Sequence, residues 1–161
     1  MKQILILYAS STGNTEEIAC LLQKYIDAKE FEVTLKNIEL GEMDPDQLLQ
    51  YDGIFFGPYT YDDGDLPFET EVFFDSLGYI DSRGKVVGVF GSRDTAYFLF
   101  CQAVDLMKEE FEHSNAPVIG HTVKVDLYPD ENEDLLSIKK LADQFQKVLL
   151  DSRLTQTVQI F

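Results

Sequence analysis

Tryptophan is absent from the 161 residues, and cysteine and histidine occur only twice each. Cys20 and Cys101 stand far apart, with no CxxC pair and no metal-ligand spacing, which excludes a disulfide framework and a cysteine metal site. They read as reduced thiols packed as small core residues. Basic residues are scarce: 13 against 29 acidic ones leave a net charge of −16. That balance argues against nucleic acid and against an anionic membrane as partners, and favours basic proteins met by electrostatic steering. No apolar run approaches membrane-spanning length, and the N-terminal run is too short and too quickly polar for a signal peptide, so the expected location is the cytoplasm. No His-Asp-Ser or Cys-His arrangement occurs, and His113 and His121 show no ligand partners in the sequence. Neither a catalytic side chain nor a metal site is expected.

What the chain does have is alternation. Apolar runs at Ile4–Tyr8, Gly53–Pro58, Val86–Phe90 and Ile119–Leu127 read as strands, and Phe31–Leu35 alternates apolar and polar as an edge strand does. Between them, helical spacing runs over about 14–29, 68–77, 97–111 and 135–150. Phe68, Val72, Phe73 and Leu77 make the inner face of one helix, and Phe100, Val104, Met107 and Phe111 that of the next. Asp44-Pro45-Asp46 opens a short helix with proline at its first position. Strands alternating with helices indicate an α/β fold: one doubly wound, five-stranded parallel sheet in the order 2-1-3-4-5, with helices on both faces. Residues 1–150 form that domain. The tail 151–161 ends in the strand-like Thr157-Val158-Gln159-Ile160-Phe161, whose place the sequence leaves open.

The chain is organised around Ser10-Ser11-Thr12-Gly13-Asn14-Thr15, between the first strand and the first helix. Four hydroxyls and a glycine at a helix N-terminus can hold an anion without lysine or arginine, because the first-turn N–H groups are unpaired and carry partial positive charge. One N-cap alone would need one such side chain. In a doubly wound sheet ligands bind where the strand order reverses, at the carboxyl ends of the strands. The loops expected to meet there are 10–15, 57–65 and 91–97.

Together these three loops resemble the flavodoxin family, over roughly residues 1–150. Ser10-Ser11-Thr12-Gly13-Asn14-Thr15-Glu16 is similar to the family's phosphate loop. Tyr59-Thr60-Tyr61-Asp62-Asp63-Gly64-Asp65-Leu66-Pro67 resembles the loop on one face of the flavin. Gly91-Ser92-Arg93-Asp94-Thr95-Ala96-Tyr97, with Cys101 one turn on, resembles the loop on the other. No insertion of about twenty residues interrupts the last strand, as one does in long-chain members, so the resemblance is to the short-chain type. It implies non-covalent FMN, with Ser11, Thr12, Asn14 and Thr15 on the phosphate. Tyr61 and Tyr97 would stack on the two ring faces, and backbone N–H groups of residues 92–95 would meet the pyrimidine edge. It further implies a monomeric low-potential one-electron carrier, not an enzyme in its own right. Electrons would come from an NADPH-dependent flavodoxin reductase and pass to redox-enzyme acceptors, both docked on the acidic surface of Asp62, Asp63, Asp65 and Glu69.

That acidity bears on the potential, since Asp62, Asp63, Asp65, Glu69, Glu71 and Asp75 oppose a second negative charge on the ring. In the family a peptide of the aromatic loop flips to offer a carbonyl to flavin N5–H, which points to Asp62 and its neighbours. Three residues depart from the family pattern: Asp62 where glycine is common, Tyr61 for a frequent tryptophan, and Arg93 where glycine is usual. Other FMN proteins share the pattern, namely a flavoprotein that activates a ribonucleotide reductase and a quinone-type oxidoreductase. A phosphorylated receiver domain lacks its acidic residues here, a phosphatase its Cys-x5-Arg, and a non-redox module that has lost its cofactor is the remaining rival.

Overall fold

The side chains of the first apolar run point alternately to two separate cores, and the layering of the molecule follows from that. A computed structural model describes residues 1–9, 13–39, 44–58, 68–93, 100–126, 128–151 and 159–160. Strand β1 (Lys2–Tyr8) sends Ile4, Ile6 and Tyr8 into one core, and Leu5 and Leu7, followed by Ala9, into the other. Helices α1 (Asn14–Tyr25) and α4 (Asn132–Leu150) close the first core with Ile18, Leu22, Leu141 and Phe145. Helices α2 (Phe68–Leu77) and α3 (Phe100–His113) close the second with Phe73, Leu77, Val104, Met107 and Phe111. A sheet covered on both faces by helices must be apolar on both, hence the continuous runs. Stacked rings pin each face: Phe55 on Phe145 at 3.9 Å between centroids, and Phe56 on Phe73 at 5.0 Å.

The remaining strands are β2 (Phe31–Asn37), β3 (Gly53–Gly57), β4 (Val86–Arg93), β5 (Val118–Ile119), β6 (Val123–Asp126) and β7 (Gln159–Ile160). They pair in parallel in the order β2-β1-β3-β4-β5-β7, with β6 also on β4. The expected order 2-1-3-4-5 therefore holds, and β2 is the edge strand that its alternation announced. Two features go beyond it. The fifth strand is split by residues 120–122 into β5 and β6, and β7 adds a strand outside β5 in register Val118↔Gln159.

Element ends moved where local hydrogen bonds compete with periodicity. Helix α1 stops at Tyr25 rather than near Lys29, because Ile26 turns extended to bury its side chain and the Asp27 carboxylate accepts the Lys29 N–H at 2.9 Å. The segment Pro45–Gln50 is a 3-10 helix, capped as expected by Asp44, whose carboxylate accepts the Asp46 N–H at 3.1 Å. On α2, Val72 is 48% exposed and not an inner residue; Thr70, Phe73 and Leu77 are buried, at the spacing of three and four that one helix face allows. Cys20 is half-buried at the edge of its core rather than within it, and burial, with Glu17 and Glu16 nearby, pushes its thiol pKa up.

Candidate functional site

At the carboxyl edge of the sheet, β1 and β3 end side by side, with Tyr8 registered on Gly57. The chain is held there as it leaves: Ala9 donates its N–H to the Gly57 carbonyl at 2.9 Å, and Ile38 donates to the Tyr8 carbonyl at 2.8 Å. Gly57 has to be glycine, since a Cβ would lie 2.3 Å from the Phe90 ring on β4.

Helix α1 begins at this edge behind Gly13, whose φ of +90° lies in the left-handed region. A Cβ there would meet nothing within 4 Å, so backbone conformation alone selects the glycine. Its carbonyl accepts the Glu17 N–H at 3.0 Å and starts the helix, while among the described residues no cap side chain bonds to the first turn. A first turn without a side-chain cap among the described residues, with Asn14 and Thr15 in it, fits an anion. Glu16 in that turn is engaged by the Tyr8 hydroxyl at 3.1 Å. Burial of Tyr8, with this hydrogen bond to Glu16 adding to it, pushes the phenol up to about 12, so Tyr8 is a permanent donor.

Thr15 sits in the first turn, 2% exposed, and its hydroxyl is 2.8 Å from that of Ser92 on β4. This contact brings together two of the three expected loops. The second partner is not in a loop, however. Residues 91–93 were expected to leave the strand, yet β4 runs to Arg93, with Ser92 registered on Val125 and Arg93 on Asp126 of β6. The pairing of β4 with β3 ends at Phe56↔Val89, and β6 supplies a partner for four residues more. Successive peptide groups of a strand face alternate sides, so only one of the Ser92 and Arg93 N–H groups can turn away from β6.

Of the expected site residues, Gly13, Asn14, Thr15 and Ser92 are therefore placed at one edge. Arg93 and Cys101 are placed by backbone only, at the end of β4 and the start of α3. Ser10, Ser11, Thr12, Tyr59, Thr60, Tyr61, Asp62, Asp63, Asp94 and Tyr97 lie outside the described residues. Two features at this edge escaped the sequence reading. Tyr8 ties the strand end to Glu16, and Tyr128, just past β6, has its phenol raised by burial and by Glu17 on α1. An aromatic residue at a strand end, followed by Pro129-Asp130, was the available signal. Away from the edge, His121 Nε2 is held by the Ser137 carbonyl at 3.0 Å and hydroxyl at 3.1 Å, and burial lowers its pKa, favouring neutral imidazole. Among the described residues no group of His, Cys, Asp and Glu could hold a metal ion, and no helix is long and apolar enough to cross a membrane.

A flavodoxin family model matches residues 6–140. A probable flavodoxin 1 of Bacillus subtilis is 38% identical over 145 residues, covering 90% of each chain. The chain belongs to the flavodoxin family. The crystal structure of oxidised flavodoxin 2 from Bacillus cereus is 46% identical, with a TM-score of 0.83 over 90% of this chain and 98% of that one. A short-chain flavodoxin associated with a PDU bacterial microcompartment is 33% identical, with a TM-score of 0.85 over 92% of this chain and 99% of the other. The short-chain resemblance agrees with the flavodoxin fold described above, in which three residues, not twenty, separate β5 from β6.

Proposed function

We propose that this flavodoxin holds FMN non-covalently across the carboxyl ends of β1, β3 and β4, and carries single electrons at low potential. The observation that carries this reading is the Thr15–Ser92 contact, which joins the anion-binding turn of α1 to the strand end where the flavin edge belongs. Bound FMN supplies the one-electron chemistry, and the chain's own residues hold it and set its surroundings. Ser11, Thr12, Asn14 and Thr15 bind the phosphate with the first-turn N–H groups of α1, Ser10 begins the loop, and Gly13 lets the backbone approach the ligand. Tyr61 and Tyr97 cover the ring faces and exclude water. Tyr59, Thr60, Asp62 and Asp63 line one side, with Asp62 offering a backbone carbonyl to the N5 position. Asp94 and whichever of Ser92 and Arg93 turns its backbone N–H away from β6 meet the pyrimidine edge, and Cys101 closes the site from α3.

An NADPH-dependent flavodoxin reductase loads the carrier, and redox enzymes with basic patches accept from it, docked at Asp62, Asp63, Asp65 and Glu69. The protein works as a cytoplasmic monomer, its FMN-binding elements lying within residues 1–150 and β7 extending the same sheet from the tail. The net charge of −16 supports this docking, since complementary charge raises the encounter rate more than the affinity. Transfer to either partner should slow steeply with salt, and salt-independent rates would remove the docking model.

A redox titration followed by visible absorption tests the function. Two separated one-electron steps, the second at low potential, are expected. A single two-electron step would favour a quinone-type oxidoreductase, and a colourless protein that FMN does not reconstitute would end the reading.

A further inference from the structure

The hydroxyls of Thr15 and Ser92 share one hydrogen bond of 2.8 Å, and either could be the donor. Each has one proton and two lone pairs, so whichever donates across the contact leaves the other's proton to find an acceptor elsewhere. The two are not equivalent. Thr15 is 2% exposed on a helix, with a β-branched side chain of few rotamers, so its proton has little access to water. Ser92 is only partly buried, on the last four residues of β4, which are paired with β6.

We propose that Ser92 is a positioning residue for the phosphate group, acting through Thr15. Its O–H donates to Thr15 Oγ1, which turns the Thr15 proton towards an anion at the N-terminus of α1. A phosphate can only accept, so a bound phosphate fixes the direction of the chain as Ser92 to Thr15 to phosphate, and each bond polarises the next. Strand placement makes Ser92 suited to this, because a ladder residue holds its side chain more rigidly than a loop residue does. The side chain thus serves the phosphate end of the ligand even though its backbone lies towards the ring end.

This assignment rests on the FMN reading, and one set of titrations separates the two. The full-length apoprotein is titrated with FMN and with riboflavin, which has the same ring and no phosphate, by quenching of flavin fluorescence. Ser92→Ala should weaken FMN roughly three- to tenfold, the worth of one neutral hydrogen bond, and leave riboflavin unchanged. In a Thr15→Val background the same substitution should have no further effect, because the two act as one unit. Equal weakening of both flavins, or losses that simply multiply in the double variant, would overturn the role of Ser92 and leave the FMN site standing. Wild-type protein that binds neither flavin would overturn both. Should alanine disturb β4, Ser92→Cys keeps the size with a weak donor and should give the same FMN-selective loss.

Discussion

Two hydroxyl pairs of equal length lie at opposite ends of the sheet, and they are built for different purposes. At the amino end, Ser82 Oγ and Ser114 Oγ are 2.8 Å apart, and Ser114 Oγ donates onward to the Ile80 carbonyl at 2.6 Å. With that proton spent, Ser82 must be the donor between the two, so the direction is set inside the protein. The Ser82 N–H to Ser114 carbonyl bond of 2.6 Å and the left-handed Asn115, at φ 70°, complete a closed junction between the α2–β4 and α3–β5 connections. At the carboxyl end, Thr15 and Ser92 face each other at the same 2.8 Å, and no described acceptor continues the chain. A hydroxyl pair with its own terminal acceptor stabilises the fold. One without it leaves a proton for a ligand.

The largest effect should come from breaking the closed pair. Ser114→Ala leaves the buried Ser82 hydroxyl without its acceptor and the half-buried Ile80 carbonyl without its donor, which should cost about 1–3 kcal/mol in urea unfolding. FMN affinity should not change; a large loss of affinity would show that the two ends are not separable. At the other end, Arg93→Gly should lower the second reduction potential. A charge ~8 Å away at an effective dielectric of ~20 contributes about 2 kcal/mol, or roughly 90 mV at 59 mV per tenfold, as an upper bound that solvent reduces. An unchanged potential in redox titration would remove Arg93 from the electrostatics of the site.

Gly13→Ala should act on both stability and ligand, because a left-handed residue with a Cβ costs roughly 1–2 kcal/mol. With open space around that Cβ, the variant should still fold, and its thermal midpoint should drop together with FMN affinity. The smallest effect concerns Asp134 on the first turn of α4. Burial and then Asp130, Asp126 and Glu133 raise its pKa, partly opposed by a backbone hydrogen bond. A carboxyl whose pKa is raised by folding binds more protons folded than unfolded, so it costs stability once ionised. Asp134→Asn should therefore raise the melting temperature slightly at pH 7, and the gain should vanish as the pH falls below the carboxylate range. A gain that persisted at acid pH would point to packing instead of charge.

Much of this molecule was legible because burial and periodicity are the same statement for long elements. Ile4–Tyr8 had to be a central strand, Phe31–Leu35 an edge, and Val104, Met107 and Phe111 one helix face, and they are. Polar residues clustered before a helix pointed to the turn proposed to bind the phosphate, since few other arrangements use four hydroxyls around a glycine. The misses share a cause. Whether Ser92 lies in a strand or a loop depends on β6, more than thirty residues on, and whether Val72 is covered depends on which face α2 turns to the sheet. The break between β5 and β6 and the pairing of β7 on β5 are likewise decisions of the partner strand.

By itself, then, the amino-acid sequence determined the elements, their order, the two-faced core and the chemistry available at one edge, because these follow from local patterns of apolar and polar side chains. Tertiary structure alone decided that Thr15 meets Ser92 across 77 residues of chain, that Gly57 makes room for the Phe90 ring, and that Tyr8 holds Glu16. Those are contacts between separate segments, and no local pattern encodes a distance that only the packed sheet sets.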